Sequence, residues 1–141
     1  MRHAFSWVEL PSIDFDRAIE FYSTVLDRGI DVHEPELDGA TNGRAGMFHS
    51  DDEADETTVG GMIVETNEYT SESGATISYT PTDDGVVVYL TVEGELDDAL
   101  SRVESTGGEV VLPKEAIPGY GGHYAIINDT EGNRVGLVSG E

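Results

Sequence analysis

A carboxylate and an indole two residues apart make the strongest chemical suggestion in this chain. Glu9 follows Trp7, the sole tryptophan, in the run Phe5-Ser6-Trp7-Val8-Glu9-Leu10. If that run is extended, alternation puts His3, Phe5, Trp7 and Glu9 on one face. A glutamate among Phe5, Trp7 and aliphatic neighbours would be desolvated, which raises a carboxyl pKa and suits it to general-base work. In a chain with 29 acidic residues, an exposed glutamate is the ordinary alternative. Glu9 could also share an ion with Glu65, His49 or His123, because a divalent metal takes three or four convergent nitrogen or oxygen ligands. Each of those histidines alone is more often a surface or satisfied core residue.

The remaining candidates are binders. Ligand sites are typically apolar and aromatic with a few polar groups fixing orientation. Trp7, Phe48 and Met62 fit that description in the first half; Tyr89, Tyr120, His123 and Tyr124 fit it in the second. Trp7 either lines a stacking pocket or fills the core. Gly119-Tyr120-Gly121-Gly122-His123 looks like a phosphate loop, but it precedes an extended run, so the helix N-terminus such loops rely on is missing. Residues 51–56 hold five carboxylates without the spaced pattern of a calcium-binding loop, and read as a solvated stretch. Cysteine is absent, which excludes thiol chemistry, disulfides and thiolate metal sites.

These residues need elements to position them, and the elements repeat. Phe15, Ala18, Ile19 and Tyr22 recur 81 residues later as Leu96, Ala99, Leu100 and Val103. Both sets have the spacing of one apolar helix face. The helices are expected at 16–26 and 96–106, each after an extended run, 5–10 and 86–92. Pro11–Asp14 reads as a turn with Ser12 or Asp14 capping the first helix. Gly29 and Gly107-Gly108 read as the stops. Strands are expected at 30–33, 43–49 and 59–65, then at 109–112, 122–128 and 134–138. Each half reads β-α-β-β-β, with the polar stretch 66–84 joining them.

The charge balance is extreme: 29 acidic against 7 basic residues, a formal net charge of −22, and one lysine, Lys114. A folded chain this acidic repels itself until salt screens it. The composition is that of a protein from a salt-rich, halophilic cytoplasm. It disfavours nucleic acid and anionic membranes as partners, since phosphate binding needs cationic patches. No secretion signal and no run of about 20 apolar residues is present, so a soluble cytoplasmic protein is expected.

Asp14-Phe15-Asp16-Arg17-Ala18-Ile19-Glu20-Phe21-Tyr22 resembles the helix signature of the vicinal oxygen chelate (VOC) superfamily, which holds glyoxalase I, bleomycin-resistance proteins and extradiol dioxygenases. Asn128-Asp129-Thr130-Glu131-Gly132-Asn133 resembles its C-terminal turn, with Thr130 where proline is usual. The resemblance implies an α+β fold in which two tandem βαβββ modules form a curved-sheet cleft. One domain would span residues 1–141, with modules at 1–67 and 85–141 and a linker at 68–84. Members often pair their modules across a homodimer.

The superfamily's enzymes hold a divalent metal through four strands. The resemblance carries those positions onto Trp7, Val87 and Gly136, which offer no ligand, and onto Glu65, the one usable match. No cofactor is therefore expected. The resemblance then implies a glyoxalase-like protein that binds a small molecule in an aromatic cleft. The alternative is a lyase, isomerase or dioxygenase using a non-standard metal site or Glu9 as base. Whether the chain is an enzyme stays open.

Overall fold

The computed structural model describes residues 4–34, 43–48, 59–65, 68–70, 73–78 and 80–140. Contacts divide the chain into two units: residues up to Phe15 with Gly29–Pro81, and Asp16–Arg28 with the chain from Thr82 onward.

The first unit contains β1 (Trp7–Ser12), and the chain then enters α1 (Phe15–Leu26). After it come β2 (Ile30–His33), β3 (Ala45–Phe48), β4 (Gly60–Glu65), β5 (Glu68–Thr70) and β6 (Thr76–Ser78). Four of these strands form a sheet in the order β1-β4-β3-β2, with β1 parallel to β4 and the other neighbours antiparallel. The segment read as a linker holds a two-stranded ladder, β5 with β6.

The first strand begins and ends later than its alternation suggested. Phe5 lies outside it and is exposed, while Pro11 and Ser12 lie inside. Proline fits there because β1 is the last strand on its side of the sheet, where a missing N–H breaks no ladder. Ser12, expected as a cap, instead donates its Oγ–H to the Val64 carbonyl at 2.9 Å.

The second unit repeats the pattern with β7 (Val88–Thr91), α2 (Leu96–Ser105), β8 (Glu109–Ala116), β9 (His123–Asn128) and β10 (Arg134–Ser139). Its sheet runs β7-β10-β9-β8, again with the first strand parallel to the last. Irregular register along β8 accommodates Pro113. The four α2 residues of the repeated pattern are all buried. Residues 16–26 of α1 pack within this unit too, burying Ala18, Phe21, Tyr22 and Val25. Gly108 lies under the Phe21 ring so closely that a Cβ would sit 2.5 Å from it.

The core of each unit follows strand alternation. Leu10 and Ile63 fill one side of the first sheet, and Val135, Leu137, Ala125 and Ile127 one side of the second. The result is an α+β chain of two mixed four-stranded sheets and two helices among the described residues.

Candidate functional site: the Trp7 and Tyr89 sheet faces

In the first sheet, register places the candidates on definite sides. Trp7 pairs with Gly60, and Glu9 with Met62. Met62 pairs with Met47, and Met47 with Asp31. Paired residues share a face, so Trp7, Glu9, Met62, Met47 and Asp31 project together. The six-membered ring of the Trp7 indole lies on Gly60, where a Cβ would stand 2.8 Å from its Cζ3. Trp7 remains 45% exposed, and its Nε1–H donates to Glu9 Oε2 at 3.1 Å. Met47, Asp31 and Gly60 are members that the sequence pattern did not single out. Only the pairing of β2 with β3 and β4 reveals them.

Glu65 and Phe48 are not on that face. Glu65 alternates with Ile63, on the side that carries Leu10 and Ser12. There it accepts from Arg44 Nη2 at 3.0 Å, Nε at 3.3 Å and the Arg44 backbone N–H at 3.2 Å. These hydrogen bonds hold its carboxyl below the ordinary carboxylate range. The Arg44 guanidinium also lies 4.7 Å above the Phe15 ring. Phe48 pairs with Ile30 and alternates with Met47, which again puts it opposite Met62.

The second sheet has its own aromatic face. Tyr89 pairs with Gly136, which pairs with Ile126. The Tyr89 ring covers Gly136 so closely that a Cβ there would stand 2.2 Å from its Cδ2. Tyr124 shares the face, its ring centroid 6.3 Å from that of Tyr89 and inclined at 61°. An aromatic lying over a glycine on the neighbouring parallel strand therefore occurs in both sheets. Val87, half-buried, immediately precedes β7.

His123 pairs with Ser139 and Ala116 on the side of Ala125 and Ile127, away from Tyr124. Tyr120 stands 89% exposed in a turn closed by the Ile117 N–H donating to the Gly122 carbonyl at 3.1 Å. His3, His49 and the acidic stretch 51–56 lie outside the described residues.

The most elaborate polar cluster lies elsewhere, in the turn before β10. Asp129 Oδ1 accepts the backbone N–H groups of Glu131, Gly132 and Asn133 at 2.8–2.9 Å. Its Oδ2 accepts Asn133 Nδ2 at 3.0 Å and the Tyr22 hydroxyl at 2.5 Å. Glu131, whose side chain is fully enclosed, accepts Arg17 Nε at 2.8 Å and Nη2 at 3.3 Å. Thr130 donates its hydroxyl to the same carboxylate at 2.7 Å, a bond that proline could not supply. Burial and the adjacent Asp129 charge push the Tyr22 phenol well above its ordinary pKa. Every acceptor atom named is met by donors from the turn or α1, so the cluster fastens α1 to the turn and leaves no reactive group exposed.

The donor set for a metal at the family positions is poor. Trp7 offers only a donor N–H, Val87 and Gly136 offer nothing, and Glu65 faces the other side engaged with Arg44. Among the described residues no group of three or more His, Asp or Glu side chains is placed to hold a metal ion. No helix among them is long and apolar enough to cross a membrane.

A family model described as the Glyoxalase/Bleomycin resistance protein/Dioxygenase superfamily matches residues 4–137. No curated protein sequence matches the chain. Among solved structures, a glyoxalase/bleomycin resistance protein from Albidiferax ferrireducens is similar with a TM-score of 0.59 and 17% identity, covering 96% of this chain and 97% of that one. The genomically encoded fosfomycin resistance protein FosX from Listeria monocytogenes gives 0.60 at 14% identity over 100% and 96%. A glyoxalase I mutant from Zea mays gives 0.60 at 19% identity, covering 96% of this chain but 46% of the maize protein. At these identities the likeness is one of fold.

Proposed function

Because the chain belongs to the glyoxalase/bleomycin resistance protein/dioxygenase superfamily, we propose that it is a metal-independent member that binds a small molecule through its aromatic sheet faces. The observation that carries this reading is what stands at the inherited ligand positions. An indole lies over Gly60 and a phenol ring covers Gly136, where a coordinating side chain would have to project. Both rings remain about half exposed, Trp7 at 45% and Tyr89 at 48%. Such rings contribute contact area at low conformational cost, with Glu9 available to orient a polar group. A homodimer and a cytoplasmic, salt-rich setting belong to the same proposal, by analogy with the family and from the charge balance.

The test uses the single tryptophan as reporter. A library of small metabolites is screened for saturable change in Trp7 fluorescence, with calorimetry on Trp7→Ala as the check. A ligand whose affinity collapses in Trp7→Ala, while circular dichroism stays native, supports the assignment. Unchanged affinity discards it. Elemental analysis of protein purified without chelators or an affinity tag tests the other half. One equivalent of a transition metal per chain would instead favour an enzyme with displaced ligands, for which Glu9 and Glu65 would be the first residues to replace.

A further inference from the structure

The Trp7 face of the first sheet has a sign as well as a shape. One rung crosses all four strands in the order Glu9, Met62, Met47, Asp31. With neighbouring strands about 4.8 Å apart, two thioethers form an apolar floor whose flanking carboxylate residues stand roughly 14 Å apart at their backbones. Asp31 is exposed, Glu9 half-buried. Trp7 adds a ring beside Glu9, and donation of its N–H to that carboxylate enriches the π system and strengthens its attraction for a positive charge. Thioethers are polarizable and adapt to irregular apolar shapes. Among the described residues, none of the strand positions on this face is lysine or arginine; Arg44 is drawn to Glu65 on the opposite side.

Resting on the binding reading above, we propose that the occupant of this face is a small organic cation: an ammonium or guanidinium head on an apolar or aromatic body. The head sits against the indole and Glu9, and the body lies over Met62 and Met47. An anionic occupant would meet the Glu9 carboxylate beside the indole, while the one histidine among the described strand positions of this face, His33, stands across the sheet on β2, on a chain of formal charge −22.

Three probes of similar size test the assignment: benzyltrimethylammonium, benzyl alcohol and phenylphosphonate, each titrated against Trp7 fluorescence in about 1 M KCl. At that ionic strength the screening length is about 3 Å, so the diffuse attraction of an acidic protein for any cation is removed and direct contact remains. The cation is expected to saturate about tenfold tighter than the alcohol, with no binding of the phosphonate. Glu9→Gln keeps an acceptor for the indole but deletes the charge. It should cost the cation about tenfold and leave the alcohol unchanged.

Equal affinity for all three probes, or a cation affinity indifferent to Glu9→Gln, overturns the cation assignment while leaving small-molecule binding in place. Saturation by none of the three also overturns it, and the metabolite library then judges binding separately. The comparison among probes uses the unaltered protein, so it decides the matter even if the variant does not fold.

Discussion

Two buried carboxylates show how much one residue's environment decides its role. Asp129 and Glu131 are nearly inaccessible, and the side-chain bonds described above tie them to the turn itself and to α1. Tyr22→Phe removes one of five donors that meet the Asp129 carboxylate, and should destabilise the fold by about 1–2 kcal/mol in denaturant titration. It should also change the alkaline limb. The phenol's pKa is raised in the folded state, so its contribution is complete below the ordinary tyrosine value of about 10 and fades as pH rises above it. Stability of the parent should fall more steeply above pH ~10 than that of Tyr22→Phe; parallel curves would refute this account. At the candidate site, Gly60→Ala places a methyl against the Trp7 ring. The exposed ring can lift, so stability should change by less than about 1 kcal/mol while Trp7 emission shifts and probe affinity falls. The two family motifs were readable as strings, Arg17 to Tyr22 and Asp129 to Asn133. That they grip each other was not, because 107 residues separate Tyr22 from Asp129 and no local pattern encodes their meeting.

Helix and strand periodicity served well wherever one face is buried and the other wet. Both helices and the strands at 30–33, 60–65, 123–128 and 134–139 stand within a residue or so of their expected bounds. The misses have local causes. Phe5 is apolar but exposed, so alternation alone started β1 too early. The polar composition of 66–84 hid a ladder held by backbone pairing, to which side-chain pattern is blind. Which sheet a helix joins is equally hidden, since the 81-residue echo marks an apolar face without saying what covers it. Helix stops are the instructive case. α2 ends as expected at Gly107, whose φ of 98° and whose N–H bond to the Glu104 carbonyl, with Gly108 reaching Val103, form a Schellman turn. α1 ends in the same turn, but the left-handed residue is Asp27 at φ 52°, two residues before the glycine that composition suggested. Asp27→Gly should therefore stabilise the protein by about 0.5–1 kcal/mol, and Gly107→Ala should cost about 1 kcal/mol, both by thermal denaturation. If Asp27→Gly is destabilising, the strain assigned to that position is wrong.

On the scale of the molecule, charge outweighs any single contact. Arg17, Arg28, Arg44 and Lys114 each meet a carboxylate within 3.0 Å, yet the chain still carries an excess of 22 negative charges. Exposed pairs such as Lys114–Asp97 contribute little individually, and salt weakens them further. If ion pairs dominated, added salt would destabilise the fold. If self-repulsion dominates, the sign reverses. The screening length falls from about 10 Å at 0.1 M to about 3 Å at 1 M, which removes repulsion between carboxylates while weakening less the part-buried contacts such as Arg17–Glu131. The excess of acid over base decides for repulsion. Thermal unfolding followed from 0.1 to 2 M KCl should show Tm climbing by about 10 °C or more, a gain of a few kcal/mol for a chain of this length. The rise should be steepest at the low-salt end, where the screening length changes most, and should match in NaCl at equal ionic strength because screening ignores ion identity. A flat or falling Tm would assign the acidity some role other than adaptation to a salt-rich cytoplasm. A rise in KCl but not in NaCl would point to bound potassium instead of screening.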